Sequence, residues 1–466
     1  AMSSLQLIIL SAIGVYFLAM ILIGLLASRR QDHEGFVIGN RNVGYIPTMG
    51  SIASSFRDGS GIVFWVGFGL TTGYGGLWVF IGATVGFLCY GLFAPKCREI
   101  ASEKGYLTVG EMLRDNIGPV TEKLASLVII AIALVGVAMQ LFVSGNLISI
   151  IIGIPAWMGV FSVAAVVAVY LFFGGYGSVV KTDAIQFFLI LSLIIVSFTN
   201  PPSYEEITNF ASFGSLGWKD SIVFFFFGLA LAFAIPDGWQ RVFSARNGHV
   251  IKVSFPLAGL FMIIMTLSLL YLGMSAKPFL PQEMNANDVF FAIFENQVFS
   301  VPILSFIAVV TMAITMSTLD TYTYLFTSTL TRNFLPAHVT KTRNRYIYFS
   351  RVLFLIVLIT MSVLALTISD LIETLFSVIS AMAILGPVYV LTAFGLFTPS
   401  RRTDVLVTIS VTSSLLVYSV FYFKGYMDDF LYLLIPTGLC LGLCFLSIWG
   451  QGYMLRSEQK DEGLTP

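Results

Sequence analysis

Apolar residues run through this chain in long stretches separated by short polar connectors. Crossing about 30 Å of hydrocarbon takes roughly 20 helical residues. Thirteen stretches are that long: 5–27, 46–72, 75–95, 120–149, 155–174, 178–199, 221–239, 251–275, 300–331, 344–368, 371–398, 403–423 and 429–449. A helix is expected in each, because lipid offers backbone N–H and C=O groups no partner. Arg29 and Arg30 follow the first stretch directly, where a cleaved leader would carry small residues, so that stretch reads as a span with its N-terminus outside. Lys and Arg should crowd the cytoplasmic connectors. In this orientation 21 of the 25 fall inside, Lys219, Lys277 and Lys424 fall outside, and Arg57 lies within a span. An odd number of spans puts the C-terminal RSEQKDEGLTP in the cytoplasm. The expected location is the inner (plasma) membrane.

Composition narrows the partners. The chain is 57% hydrophobic and 11% charged, where an ordinary soluble domain carries about 25% charged residues. Lys+Arg and Asp+Glu both number 25 and no long basic run exists, which excludes a nucleic-acid-binding surface and leaves lipid and a small-molecule solute as partners. Cys89, Cys97, Cys440 and Cys444 lie in or beside apolar stretches without metal-ligand spacing, and read as packing residues. His33, His249 and His338 fall in connectors, and no nucleophile–base set lies in a span, so an enzyme is not expected.

Two spans are interrupted. The second contains Ser54, Ser55, Arg57, Asp58, Gly59, Ser60 and Gly61 at its middle, and the seventh contains Pro236, Asp237 and Gly238 near its inner end. Pro removes a helical N–H and Gly costs the most entropy to hold helical, so both sites favour unwinding. They fall at matching places when the chain is cut into five-span halves, 46–199 and 221–398. Interruptions matched in this way point to a transport site between inverted repeats. The division expected is a first helix and lead-in (1–45), a first repeat (46–199), an external loop (200–220), a second repeat (221–398) and two further helices with a tail (399–466).

Ionisable groups within spans are expensive and usually mark a solute or ion path. Arg57 and Asp58 lie about eleven residues into their span, roughly 16–18 Å deep at 1.5 Å per residue. Arg57 has two readings: a structural pair with Asp237 or Asp320, or a fork for a solute carboxylate. In the ninth span the hydroxyls of Ser317 and Thr318, with the carbonyl of Ile314, form an i, i+3, i+4 set of oxygen donors suited to a hard cation. Back-bonding of the hydroxyls to the preceding turn is the alternative. Asp320 is expected nearer the inner surface.

Four segments, in order, resemble the solute:sodium symporters: GNRNVG (39–44), GGYGSVVKTDAIQ (174–186), PDGWQRVFSARN (236–247) and MSTLDTYTYLFTSTLTRNF (316–334). The resemblance implies an all-α membrane protein with a five-plus-five inverted repeat, the LeuT-like fold, that couples sodium entry to solute uptake by alternating access. It implies a sodium site made by the carbonyls of Ser54 and Arg57 in an ungapped register, the carbonyl of Ile314, and the hydroxyls of Ser317 and Thr318. Shifting the register to align Asp58 would move the first two carbonyls to Phe56 and Gly59. The resemblance also puts Asp183 and Gln186 near the inner exit of the ion, with Asp320 on the same path. Solute is then expected among Ser55, Phe56, Arg57, Asp58, Pro236 and Asp237, where a guanidinium beside carboxylates favours an amino acid or organic acid. A cationic Arg57 close to a sodium site is electrostatically awkward. Coupling to H+, or no coupling, with Arg57 replacing the ion's charge is the first alternative, and a solute sensor on the same scaffold the second.

Overall fold

A computed structural model describes residues 4–28, 41–173, 176–199, 215–281, 284–336, 343–426 and 429–461. Arg29, Arg30, His33, His338, Gly39, Asn40, Gly174, Gly175 and most of the 200–220 loop lie outside them. Helices carry the described chain: α1 (Ser4–Ser28), α2 (Tyr45–Ser55), α3 (Gly59–Thr72), α4 (Leu77–Lys104), α5 (Val109–Asn116), α6 (Pro119–Ile152), α7 (Ala156–Phe173), α8 (Tyr176–Leu191) and α9 (Ile194–Thr199). Next come α10 (Gly217–Ala234), α11 (Pro236–Ser244), α12 (Gly248–Ala276), α13 (Ala286–Glu295), α14 (Val301–Asn333) and α15 (Arg343–Ala365). The chain ends with α16 (Leu371–Ala383), α17 (Gly386–Ala393), α18 (Arg401–Phe423) and α19 (Leu431–Asp461). No strand occurs among the described residues, and a single parallel bridge joins Val43 to Ala245.

Eleven helical segments are long and apolar enough to cross a membrane. One of these, Gly59–Lys104, contains both α3 and α4, and the shorter apolar Ala156–Val169 adds a further helix. Each of the thirteen expected stretches thus has its helix or broken helix pair. The chain reverses between α3 and α4 at Gly73–Gly76, which brings Phe87 of α4 back to 5.6 Å from the Phe56 ring.

Both expected interruptions are real, and each has a local cause. In the second span α2 stops at Ser55, Asp58 turns extended (φ −90°, ψ 167°), and α3 starts again at Gly59 with Asp58 as its N-cap. In the seventh, Ile235 is extended (φ −71°, ψ 113°), as the residue before a proline prefers, and Pro236 opens α11. A third interruption, at Ile384–Leu385 ahead of Pro387, keeps helical dihedrals and only offsets α16 from α17.

The most enclosed of the long spans is α14, whose middle from Val310 to Thr329 is buried without exception. Asp320 is fully buried there, because neighbouring helices cover every face of α14 at its depth. Cys97, Cys440 and Cys444 are buried, Cys89 is partly so, and all four are free thiols.

Close crossings rest on glycine. A methyl group added at Gly228 of α10 would lie 1.8 Å from the Val79 carbonyl oxygen of α4, and one at Gly82 of α4 would lie 1.9 Å from the Phe225 oxygen of α10. Without a hydrophobic drive between helices in lipid, such backbone approach supplies the packing. Gly228→Ala is therefore expected to cost about 1–3 kcal/mol or more by overpacking, whereas Gly438→Ala, which meets nothing within 4 Å, should be neutral. Thermal unfolding in detergent compares the two, and equal midpoints would contradict this crossing.

Candidate ion and solute site

The two interruptions face each other. Ser55, the last residue of α2, donates from its hydroxyl to Asp237 Oδ2 of α11 at 2.9 Å. Asp237 in turn pairs with Arg241 one turn on, at 3.0 Å. Arg241 is 1% exposed and reaches three more helices. Its Nη2 donates to Ser51 Oγ at 2.7 Å and to Thr321 Oγ1 at 3.4 Å, and lies 3.4 Å from Asp183 Oδ2 of α8. Ser51 itself donates to Asp183 at 2.5 Å. One guanidinium thus joins α2, α8, α11 and α14, with two carboxylates for its single positive charge.

Ser317 and Thr318 border this cluster. Ser317 Oγ donates to Asp183 Oδ1 at 2.6 Å and lies 3.0 Å from Ser54 Oγ. Thr318 Oγ1 is 3.2 Å from the Ile314 carbonyl and 3.4 Å from the Arg57 carbonyl. Thr318 therefore makes the back-bond that was the alternative reading, while Ser317 does not. Hydroxyls of Ser54, Ser317 and Thr318 and carbonyls of Arg57 and Ile314 lie together where the unwound residues of the second span meet α14, whereas the Ser54 carbonyl, the ligand expected from sequence, accepts from the Arg57 N–H at 3.2 Å. Of the two registers, it is the one containing Arg57 whose carbonyl faces Thr318. Gly59 instead opens α3, and its N–H donates to Gln140 Oε1 of α6 at 2.6 Å.

Arg57 is placed otherwise than either sequence reading proposed. Its guanidinium donates to the Met262 carbonyl at 2.9 Å and to the Thr266 hydroxyl of α12, and its carbon lies 4.1 Å over the Phe80 ring. It pairs with neither Asp237 nor Asp320. Its guanidinium leaves the break toward α12, while Asp237 is held by Ser55 and Arg241. Gln186 donates to Tyr16 of α1 at 2.7 Å. Asp183 lies inside the cluster, bonded to Ser317, and Asp320 is one turn along α14 from Ser317.

On the other side of the break is a narrow cavity. Phe56, Asp58, Gly61, Phe64, Trp65, Val79, Phe80, Phe224, Phe227, Leu231, Leu375, Phe376, Ile379 and Leu433 line it, and about 70 Å³ of it is open to a water-sized sphere. Asp58 is its one charged wall. Of the six expected solute contacts, Phe56 and Asp58 line this cavity, Ser55, Pro236 and Asp237 belong to the Arg241 side, and Arg57 lies behind Phe80. Sequence reasoning missed Arg241 by counting it among cytoplasmic cations. The i, i+4 spacing of Asp237 and Arg241 on one helix face was the available signal.

A helical membrane bundle with two helix breaks meeting at a buried polar cluster fits the LeuT-like transporter class that the sequence led us to expect. Residues 36–403 match the Sodium:solute symporter family, and the chain belongs to that family. Among curated relatives, the sodium/proline symporter of Staphylococcus aureus (strain JH9) is 25% identical over 346 residues, covering 69% of this chain and 67% of the relative. That of the bovine strain RF122 is 24% identical over 351 residues, with the same coverage. Among solved structures, a Na+-coupled sialic acid symporter in a substrate-bound outward-open state superposes with a TM-score of 0.76 at 16% identity, covering 95% of this chain and 97% of that one. A manganese transporter of Eremococcus coleocola superposes with a TM-score of 0.53 at 14% identity, covering 87% and 93%.

Removing Arg241 strands two buried carboxylates, and breaking a buried pair from one side typically costs about 3–5 kcal/mol. Arg241→Met should therefore destabilise strongly, and Asp183→Asn in the same chain should return part of the loss. Thermal unfolding of the single and double variants measures the coupling. Simple additivity would show that the two residues do not interact.

Proposed function

We propose that the protein carries a small solute across the membrane together with sodium, by alternating access between two inverted repeats at about 46–199 and 221–398. The observation that carries this reading is the convergence of the Ser54, Ser317 and Thr318 hydroxyls with the Arg57 and Ile314 carbonyls, beside a cluster in which Asp183 and Asp237 outnumber Arg241. Hard oxygen donors suit an alkali cation, and an excess of buried negative charge favours one electrostatically. Family membership supports the same ion. A proton-linked mechanism with Arg57 standing in for the cation needs its guanidinium beside Ser317 and Thr318. Instead, only its carbonyl is there, which favours sodium.

The relatives that resemble this chain carry proline and sialic acid. An amino acid or organic acid is the finer expectation from sequence, and it depended on Arg57 receiving a carboxylate. With Arg57 turned to α12, that expectation loses its anchor. Positive residues outside the spans support an external N-terminus and a cytoplasmic C-terminus.

Sodium that binds the folded protein alone should raise its stability by RT ln(1 + [Na+]/Kd), about 2.7 kcal/mol at a hundredfold excess over Kd. Purified protein is expected to unfold at higher temperature in sodium than in potassium at equal ionic strength. Ser317→Ala with Thr318→Ala should abolish the difference. A sodium shift of unchanged size in that double variant would rule out the assigned oxygens.

A further inference from the structure

Resting on the symporter reading, we infer that the solute is a small organic cation, an ammonium group on an apolar or aromatic body, that carries no carboxylate.

The cavity walls set the first condition. Phe56, Phe64, Trp65, Phe80 and Phe224 supply ring surface, and Asp58 alone supplies charge. Aromatic faces attract cations and apolar bodies and disfavour a carboxylate, the Trp65 indole N–H being the one neutral donor among these rings.

The hydrogen bonding of Asp58 sets the second. Its Oδ1 accepts from Ser60 Oγ at 2.9 Å and from the Gly61 N–H, while Oδ2 has no hydrogen-bond partner among the described residues. Asp58 is only 9% exposed. An ionised carboxylate is an acceptor only, so what the cavity asks of a ligand is a donor, and an ammonium answers both the hydrogen bond and the charge.

The third condition is what the start of α3 no longer offers. A half-helix N-terminus in a transporter is a natural seat for an anionic solute group, because its N–H groups are free and its dipole is positive. Here two of those N–H groups are taken by the protein. Gly61 N–H is held by Asp58 and Gly59 N–H by Gln140 Oε1 at 2.6 Å. A solute carboxylate would meet a fixed negative charge in place of a donor. Arg57 is not part of the lining: its Nη2 donates to Met262 and Thr266, and its guanidinium carbon lies over the Phe80 ring, which itself lines the cavity.

The test compares amines with their own acids, so that size and shape stay constant. Purified protein in sodium is titrated with pyrrolidine against proline and with phenethylamine against phenylalanine, following the unfolding midpoint. At least one amine should stabilise at a concentration tenfold or more below that of its amino acid. An amino acid acting at equal or lower concentration than its amine overturns the inference, as does silence from both amines in protein that still responds to sodium. Asp58→Asn, which keeps an N-cap of equal quality, should weaken the active amine at least tenfold, and unchanged amine affinity would remove Asp58 from the site. If that variant does not fold, the matched pairs on the unaltered chain decide alone. Amine binding without any sodium shift would uphold the solute class while sinking the ion site.

Discussion

A helix broken inside a bilayer frees backbone groups that hydrocarbon cannot satisfy, and the rest of the site follows from how this chain closes its two breaks. The freed amides at the start of α3 go to Asp58 and to Gln140 of α6, and the Arg57 carbonyl faces Thr318 of α14. The end of α2 is held to the start of α11 by Ser55 and Asp237. Apart from the Asp58 cap, each closure uses a side chain from another helix, so satisfying the backbone also sets which helices meet at mid-span. Below them, the lead-in residue Val43 pairs with the chain just past α11, accepting from Arg246 N–H at 2.9 Å and donating to the Ser244 carbonyl at 3.1 Å. The two broken helices are thus joined at two levels.

Arg241 gives this junction its charge balance. A guanidinium taken out of water is stable only where its donors are matched, and it finds Ser51, Asp183, Asp237 and Thr321. Ser51, Ser55 and Ser317 also donate into the carboxylates. Two acids against one base leave a formal negative charge in a region with no water-exposed surface. Four helices share that imbalance, so a cation relieving it acts on all of them.

The membrane class, the thirteen spans and the positions of both breaks were legible in the sequence, because the period of apolar residues and the Gly and Pro punctuation are local properties. Ser317 and Thr318 stood out by their spacing on one helix face, which left back-bonding open, and the family resemblance favoured them as ion ligands. What local pattern could not convey was partner choice. Arg57 looked like the functional arginine because it interrupts an apolar run, yet a break changes the direction of the chain, and its guanidinium leaves on the α12 side. Arg241 looked like an ordinary cytoplasmic cation at a span's end. Only the turn at Ile235 and Pro236 carries α11 inward and buries it. Asp58 read as a solute ligand or an ion partner, and its capping bond to Gly61 depended on where α3 restarts.

The two sides of the second-span break now differ in chemistry while sharing the same few residues. Ser54 and the Arg57 carbonyl face α14 and the Asp183 cluster, whereas the Phe56 and Asp58 side chains face the aromatic cavity. Any change in the dihedrals of 54–58 that improves one side alters the other, which is the structural condition for coupling, and such coupling is reciprocal by thermodynamic necessity. Two cations close together would repel if they shared one counter-charge. Here they would not share: the ion side has the unbalanced carboxylate of the Arg241 cluster, and the solute side has Asp58 to itself. Separate counter-charges on a shared hinge allow sodium and an organic cation to be held at once, and make the occupancy of each depend on the other.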